Sequence, residues 1–469
     1  MNSNYDVLVI GSGTAGIFFA KTMAERGFSV LVVDSLGESR LGERLDVFHS
    51  DKDYFAKYNV PEPKAGDPDY LGQFEYGITK SAFDKYPKRT DYAFDVMRLP
   101  PFLKRLRAWA EGFGVEFSYA TSFKDFVRNA EGKINGAILD KDGELFEVGA
   151  RLTADATGIP SVARRKLPAE CKVENFEIGP RDMFYVIIRY VRIRKPEDAV
   201  KINTGWAYYK TWTAPALDPM QAIFGVGANL SFDYAEECYK KFTEIVKLPE
   251  HDVEQVQKGA TPYRRPPHSF VTDGFVVLGD AACITKPFSG EGITAAWNHA
   301  KIMADVASNA MKDGAYPTEK ALWGANKQYM STQGADFAYL LATLVNAVDC
   351  SPEENDYEFK HDIVFNTEDL TRTNKTFSAD LSGSASLKLG LKVVGGVFAG
   401  KIRLRTVKSL LNGVTLAGKL KKHYKKYPTD PKGYYVWANK ANYLWEKAGN
   451  MADVVEKVAM KEAEKKKKA

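Results

Sequence analysis

The chain is poor in the residues that staple a fold or bind metal. Among 469 residues there are four cysteines, Cys171, Cys238, Cys283 and Cys350, all far apart and none in CxxC spacing. That argues against a zinc site, an iron–sulfur cluster or a disulfide framework. Six histidines are scattered without an HxxxH pair, so no metal site is expected. No window of 18 uncharged apolar residues occurs, so no transmembrane helix is expected. The run "FAYLLATLVNAV" (Phe337 to Val348) is too short to span and reads as a buried helix. Strand-like sequence begins at Tyr5, which leaves no room for a signal peptide, and a reducing cytoplasm is the expected home. The net charge is only +5, too small to draw the whole molecule toward nucleic acid.

What remains is an ordinary globular composition, 45% hydrophobic and 27% charged, in a chain long enough for two or three domains. Aromatic content is 12%, which suits an apolar ligand cavity as well as plain core.

The first informative stretch is "YDVLVIGSGTAGIFFAKTMAERGFSVLVVDS". "DVLVI" is a continuous aliphatic run, as a strand buried on both faces requires. Gly11, Gly13 and Gly16 follow as GxGxxG, then a helix-periodic segment ending near Gly27, then a second buried strand ending at Asp34. Gly11 permits the tight turn, Gly13 lets a pyrophosphate approach the backbone, and Gly16 lets helix and strand pack closely. The helix start, with Thr14 and Ala15, offers N–H groups and a positive dipole end to phosphate. Asp34 lies 18 residues after Gly16 and suits the hydroxyls of an unphosphorylated ribose, with Ser35 beside it. FAD or NAD is therefore expected rather than NADP.

Two later stretches decide between these. "RLTADATGIPSVARR" places Asp155, Gly158, Ser161 and Arg164 in the spacing D-x-x-G-x-x-S-x-x-R. "FVVLGDAACITKPFSGEGI" places Asp280 directly behind a strand, followed by Pro287, Phe288, Gly290, Glu291, Gly292 and Ile293 before a helix-like run. Both resemble motifs of FAD proteins related to aromatic hydroxylases, flavin-dependent halogenases and geranylgeranyl reductases. The resemblance implies that Asp155 and Gly158 form a second cofactor loop and that Asp280 meets the ribityl chain and pyrophosphate. It also implies that the helix starting near Gly292 and Ile293 turns its N–H groups toward the flavin pyrimidine ring, where reduced flavin carries negative charge. Arg98, ahead of an amphipathic helix, is expected to contact FAD phosphate on the same grounds.

"PFSGEGI" is similar to the geranylgeranyl reductase form of this motif, where aromatic hydroxylases carry GQG. In the middle of the chain, Trp206-x-Tyr208 followed by Gly225-Val-Gly227 matches the skeleton of that family's aromatic strand, although Lys210 and Thr211 stand where the family has Phe-Pro. The resemblance implies an FAD-dependent reduction of C=C bonds in a prenyl-type lipid or quinone, with Trp206, Tyr208 and Phe288 along the substrate cavity. Tyr208 and Glu291 are candidate proton donors. The family's Cys after the second strand is missing from "GERLDVFH", and Cys283 stands where relatives often have Gly. The alternative activity is that of a halogenase or monooxygenase, since "GWAYYK" and "LGER" partly match halogenase motifs. Lys80 would be the halogenase lysine, but a lone Lys is ordinarily a surface residue. A non-enzymatic prenyl-lipid binding protein is the more distant alternative. The electron donor is NAD(P)H visiting transiently or a ferredoxin-like carrier, because no second nucleotide fold is present.

Residues 381–429 contain no Asp or Glu and eleven Lys plus Arg, interleaved with Leu, Val and Phe. That composition suits peripheral contact with an anionic membrane, on its inner face, or docking of an acidic electron carrier. No nucleic-acid-binding module is present. The expected architecture is α/β plus α+β. A discontinuous Rossmann-like FAD-binding domain (residues 1–50, 95–170 and 270–330) carries an inserted mixed-sheet substrate domain (51–94, read as loop-rich, and 171–269). A mainly helical C-terminal region, 331–469, follows. "PYRRPP" (Pro262 to Pro267) marks the return linker.

Overall fold

The structure is a computed structural model that describes residues 3–43, 46–91, 93–287, 289–347, 350–363, 367–368, 371–372, 392–393 and 395–468. Strand β1 (Asn4–Ile10) runs parallel to β2 (Val30–Val33) on one side and to the strand Glu144–Asp155 on the other. Val7, Leu8 and Val9 have no exposed surface, which is why the sequence there is an unbroken apolar run instead of an alternation. Helix α1 (Thr14–Ala24) connects β1 to β2 and is buried from Ala15 onward. Two more parallel strands join them, Glu116–Ser118 beside β2 and Phe275–Val277 beside Glu144–Asp155, and the antiparallel strands Thr121–Arg128, Ile134–Lys141 and Val271–Thr272 bring the sheet to eight.

The register of this sheet positions everything that follows. Ile10 pairs with Asp155, and Asp155 pairs with Val277. Three strands from distant parts of the chain therefore end level with one another. The loops that leave them, at Gly11, Ala156 and Leu278, emerge side by side at the C-terminal edge, where doubly wound sheets bind nucleotides.

A second sheet of seven strands runs in the order His251–Pro262, Met183–Ile193, Gln221–Asn229, Thr211–Pro215, Thr204–Trp206, Gly77–Lys80, Lys88–Thr90. Its pairings are antiparallel except that between Thr204–Trp206 and Gly77–Lys80. The Gly225-Val-Gly227 pattern has a packing reason. A methyl group at Gly225 would overlap the Trp212 ring, and one at Gly227 the Phe184 ring, so the glycines let two aromatic rings lie flat on the strand. A third sheet joins Val47–Asp51, Phe94–Arg98 and Tyr70–Phe74. The stretch read as loop-rich thus holds strands of three to five residues and the short helix Asp53–Tyr58. Strands that short carry too few residues for a readable alternation.

The described C-terminal residues are mainly helical, as expected. Gln333–Ala347, the helix read from "FAYLLATLVNAV", packs against Leu404–Tyr424, whose Ala417, Leu420 and Tyr424 are fully buried. Lys421 Nζ lies 2.7 Å from Asp336. Part of the basic stretch is therefore docked on protein; its residues 381–391 and 394 lie outside the described residues. Among the described residues, no helix is long and apolar enough to cross a membrane.

Candidate functional site

The glycine loop after β1 is shaped by contact on two sides and empty on the third. Gly11 has φ +106°, and a methyl there would overlap the Ala156 carbonyl. A methyl at Gly16 would overlap the Gly11 carbonyl. At Gly13 a methyl would meet nothing within 4 Å, and the residue is exposed. Helix α1 starts there with no side-chain cap, Thr14 half-buried and Ala15 buried. At the end of β2, Asp34 Oδ2 accepts the Ser12 N–H and hydroxyl, both at 2.8 Å, and Oδ1 accepts the Leu36 N–H at 2.9 Å. Asp34 remains half-buried and Ser35 is exposed. Open space over an uncapped helix start, with a carboxylate at the rim, fits the pyrophosphate and ribose of FAD.

The second loop is built by Asp155, which is fully buried. Its Oδ1 accepts the Thr157 N–H at 3.0 Å and hydroxyl at 2.7 Å, and its Oδ2 accepts the Arg164 N–H at 2.6 Å. Its role here is to shape the turn, leaving the open Gly158 (φ +71°) at the surface. Arg164, also fully buried, donates from Nε to the Ala281 carbonyl at 2.9 Å and from a terminal nitrogen to the Glu174 carbonyl at 2.6 Å. It fastens the second loop to the third.

In the third loop Gly279 (φ +57°) sits against Ala15, where any side chain would crowd the first turn of α1. Cys283 has φ +56° and closes the turn, its N–H bonding the Asp280 carbonyl at 3.0 Å. This left-handed position favours glycine, which is a physical reason for the Gly that the family resemblance implies here. Asp280 is half-buried, with the Thr285 hydroxyl 3.4 Å from its Oδ1; burial pushes its carboxyl up to about 6. The helix Ile293–Ala310 begins at Gly292 without a side-chain cap, and its Trp297 indole donates to the Thr14 carbonyl at 3.3 Å. Gly290 precedes it at φ +76°. Arg98 stands apart. Its exposed guanidinium is held by Asp46 Oδ2 at 2.8 and 3.0 Å, so the anion that offsets this arginine at a helix start is a carboxylate of the chain itself.

Beside Gly290 and Glu291 opens a cavity of about 420 Å³. Trp206, Tyr208, Phe94, Phe184 and Tyr263 line it, so two of the three expected substrate residues meet there with the expected Glu291. Phe288 lies outside the described residues. Trp206 is fixed by its indole N–H to Asp84 Oδ1 at 2.8 Å. Leu344, Met451 and Val455 also reach the cavity, a contribution of the C-terminal helices that composition did not foretell. Lys210, at φ +50°, lines it with Nζ 3.1 Å from Asn229 Oδ1, and burial pushes its amine down to about 8.

One cluster at this wall escaped sequence reasoning. Glu291 Oε1 lies 2.8 Å from His49 Nε2, and Glu291 Oε2 accepts Lys286 Nζ at 3.0 Å and the Ser289 hydroxyl at 2.9 Å. Lys286 is fully buried and 3.8 Å from Asp51 Oδ2, which accepts the Thr294 hydroxyl at 3.1 Å. Burial, helped by the Glu291 charge, pushes the Asp51 carboxyl up to about 6. The readable signal was "HSD" on a strand, where residues two apart share a face. Among the described residues no group of side chains could hold a metal ion.

Fold and site together define an FAD-dependent oxidoreductase. A family profile described as an FAD binding domain matches residues 6–43. The chain is similar to the digeranylgeranylglycerophospholipid reductase of Sulfolobus acidocaldarius, 26% identical over 450 residues, covering 92% of this chain and 95% of that protein. A solved geranylgeranyl bacteriochlorophyll reductase-like protein from Thermoplasma acidophilum shares the fold at TM-score 0.67 and 16% identity, over 85% of this chain and all of that one. The fold also extends to a variant of the flavin-dependent brominase Bmp2, at TM-score 0.58 and 16% identity, over 84% of this chain and all of that one. Within the oxidoreductase class, the resemblance to the geranylgeranyl reductase family holds over nearly the whole length.

Proposed function

We propose that this protein reduces C=C bonds of a prenyl-type lipid. The observation that carries this reading is an aromatic-walled cavity that abuts the Gly290–Glu291 loop, the loop expected against the flavin ring. Bound FAD would, once reduced, supply the hydride. The chain supplies the rest. Gly13 and the open start of α1 would take the pyrophosphate, Asp34 the ribose, and Asp280 the ribityl side. The uncapped start of Ile293–Ala310 would stabilise negative charge on the ring without a mobile cation. Trp206, Tyr208 and Phe184 offer apolar faces to a kinked isoprenoid chain and exclude water from it.

The test is anaerobic. Protein reduced with dithionite and mixed with a geranylgeranyl lipid should yield product heavier by pairs of hydrogens. A product that requires oxygen or halide would instead establish the monooxygenase or halogenase reading. That reading loses its lysine here, since Lys80 Nζ is paired with Asp84 at 2.8 Å and is not among the residues lining the cavity.

Peripheral membrane contact belongs to the same proposal. Phe398, Leu404 and Leu411 are 89%, 71% and 63% exposed, with the exposed Lys401 and Lys408 close in sequence. Apolar and basic groups together suit an anionic bilayer. Replacing all three apolar residues by Ser should abolish salt-sensitive sedimentation with phosphatidylserine vesicles while leaving FAD content unchanged. Equal sedimentation of the variant would end this part of the proposal.

A further inference from the structure

We propose that His49 is the acid that protonates the substrate, and that Glu291 holds its ring in place. The inference rests on the reductase reading above and names the proton source that reading leaves open.

Hydride addition to an alkene completes only when a proton reaches the neighbouring carbon, so a donor must face the cavity. His49 and Glu291 both line it, but unequally. The His49 side chain is 36% exposed and that of Glu291 only 8%. The imidazole is therefore the member of the pair that a substrate can touch. Its Nε2 is spent on Glu291 Oε1 at 2.8 Å, which leaves Nδ1 as the donating atom.

The charges around the pair assign the roles. Three ionisable groups face His49: Glu291, Asp51 and Lys286. The Phe94 ring lies against it at 5.3 Å between centroids. Burial alone would lower the imidazole pKa, and Lys286 acts in the same direction. The hydrogen bond and charge of Glu291, with the charge of Asp51, outweigh both and raise it. Glu291 moves the opposite way. Burial would raise it, but Lys286 and His49 pull it well below the usual carboxylate range. Both effects favour the carboxylate form of Glu291, so in this proposal it is the acceptor of the pair and not the donor. It is the partner that favours the charged form of His49, as the acid of an acid–imidazole pair does.

The step balances as follows. The π bond of the alkene breaks; one carbon forms a C–H bond with hydride from the reduced flavin, and the other forms a C–H bond with the proton leaving His49 Nδ1. The imidazole is left neutral with its Nε2–H still donated to Glu291. It takes a new proton from water at the cavity mouth, and the two electrons come from whatever donor reduces the FAD.

The decisive experiment follows flavin reoxidation in a single anaerobic turnover with a geranylgeranyl lipid, across pH 5.5 to 9. Wild-type protein should lose rate as pH rises through a single ionisation above the ordinary histidine value of about 6.5. His49→Gln should be slower by about 100-fold, within the usual range for a lost general acid, and should show no such ionisation. Its FAD content and visible spectrum should match wild type. Glu291→Gln should move the ionisation to lower pH. Tyr208→Phe should keep the wild-type ionisation, because its hydroxyl is not the proton source. In parallel, the His49 imidazole resonance of the resting holoprotein, assigned by its absence in His49→Gln, should titrate above the ordinary value and fall in Glu291→Gln. A His49→Gln protein with wild-type rate and profile overturns the proposal, as does a His49 resonance titrating below the ordinary value. Failure of wild-type protein to reduce the lipid at any pH overturns the reductase reading itself, a separable result.

Discussion

Gly13→Ala should purify as a folded protein with wild-type stability and no bound FAD. The backbone at Gly13 lies at φ −72° and ψ 176°, extended geometry that alanine adopts without strain. Its new methyl would meet no atom of the chain within 4 Å. The apoprotein therefore has no reason to notice the change. The methyl would instead stand in the open space over the start of α1, where a pyrophosphate must reach the backbone N–H groups. Gly11→Ala and Gly16→Ala form the contrast. Each adds a methyl that overlaps a backbone carbonyl, that of Ala156 or of Gly11, so each should lower stability as well as remove FAD. The measurement is FAD released on denaturation, set beside the thermal unfolding midpoint of the cofactor-free form. A yellow Gly13→Ala protein would show that the phosphate lies elsewhere.

Glu174→Gln should destabilise the protein by about 3 kcal/mol at neutral pH. Glu174 accepts Arg265 at 2.7 and 2.8 Å and the His268 N–H at 2.7 Å. Burial would raise its pKa, but the Arg265 hydrogen bonds and charge, with the His268 N–H, bring it down to about 2 from an ordinary 4.5. A carboxylate depressed in the folded state contributes stability in full above its unfolded value. The contribution is lost as pH falls from about 4.5 through about 2. The gap in urea midpoint between wild type and Glu174→Gln should therefore be widest at pH 7 and narrow steadily below pH 4.5. A gap that stays constant to pH 2.5 would mean that the ion pair is not its source. The pair also binds distant parts together, because Arg265 and His268 both reach Asn442 of the helix Tyr434–Ala448, at 3.3 and 2.8 Å.

The cofactor loops were legible because each is a local pattern, a buried strand followed by glycines at fixed spacing. Asp155 shows the limit of that reading. Its spacing was found, but a motif does not say whether an acid faces a ligand or its own turn, and here it is sealed against Thr157 and Arg164. Cys283 was legible only as an oddity; its positive φ supplies the reason. "PYRRPP" reads as a linker from its prolines, yet its arginines are anchors, Arg264 to Asp182 at 2.9 Å and Arg265 to Glu174. His49, Asp51 and Lys286 could not be grouped from sequence. The first two lie on one strand and the third lies some 235 residues later, with nothing but the folded sheet edge to bring them together.

The strand register carries a consequence for how this protein is made. Ile10 is level with Asp155 and Asp155 with Val277, so the three loops meet only after pairings that span more than 260 residues of chain. Contacts so distant in sequence form late, since their closure entropy must be met before they return any stability. During synthesis the first glycine loop waits, folded or not, until the strand Phe275–Val277 has left the ribosome. The FAD-binding edge can therefore be completed only once Val277 has been made, and FAD would then stabilise the assembled edge by mass action.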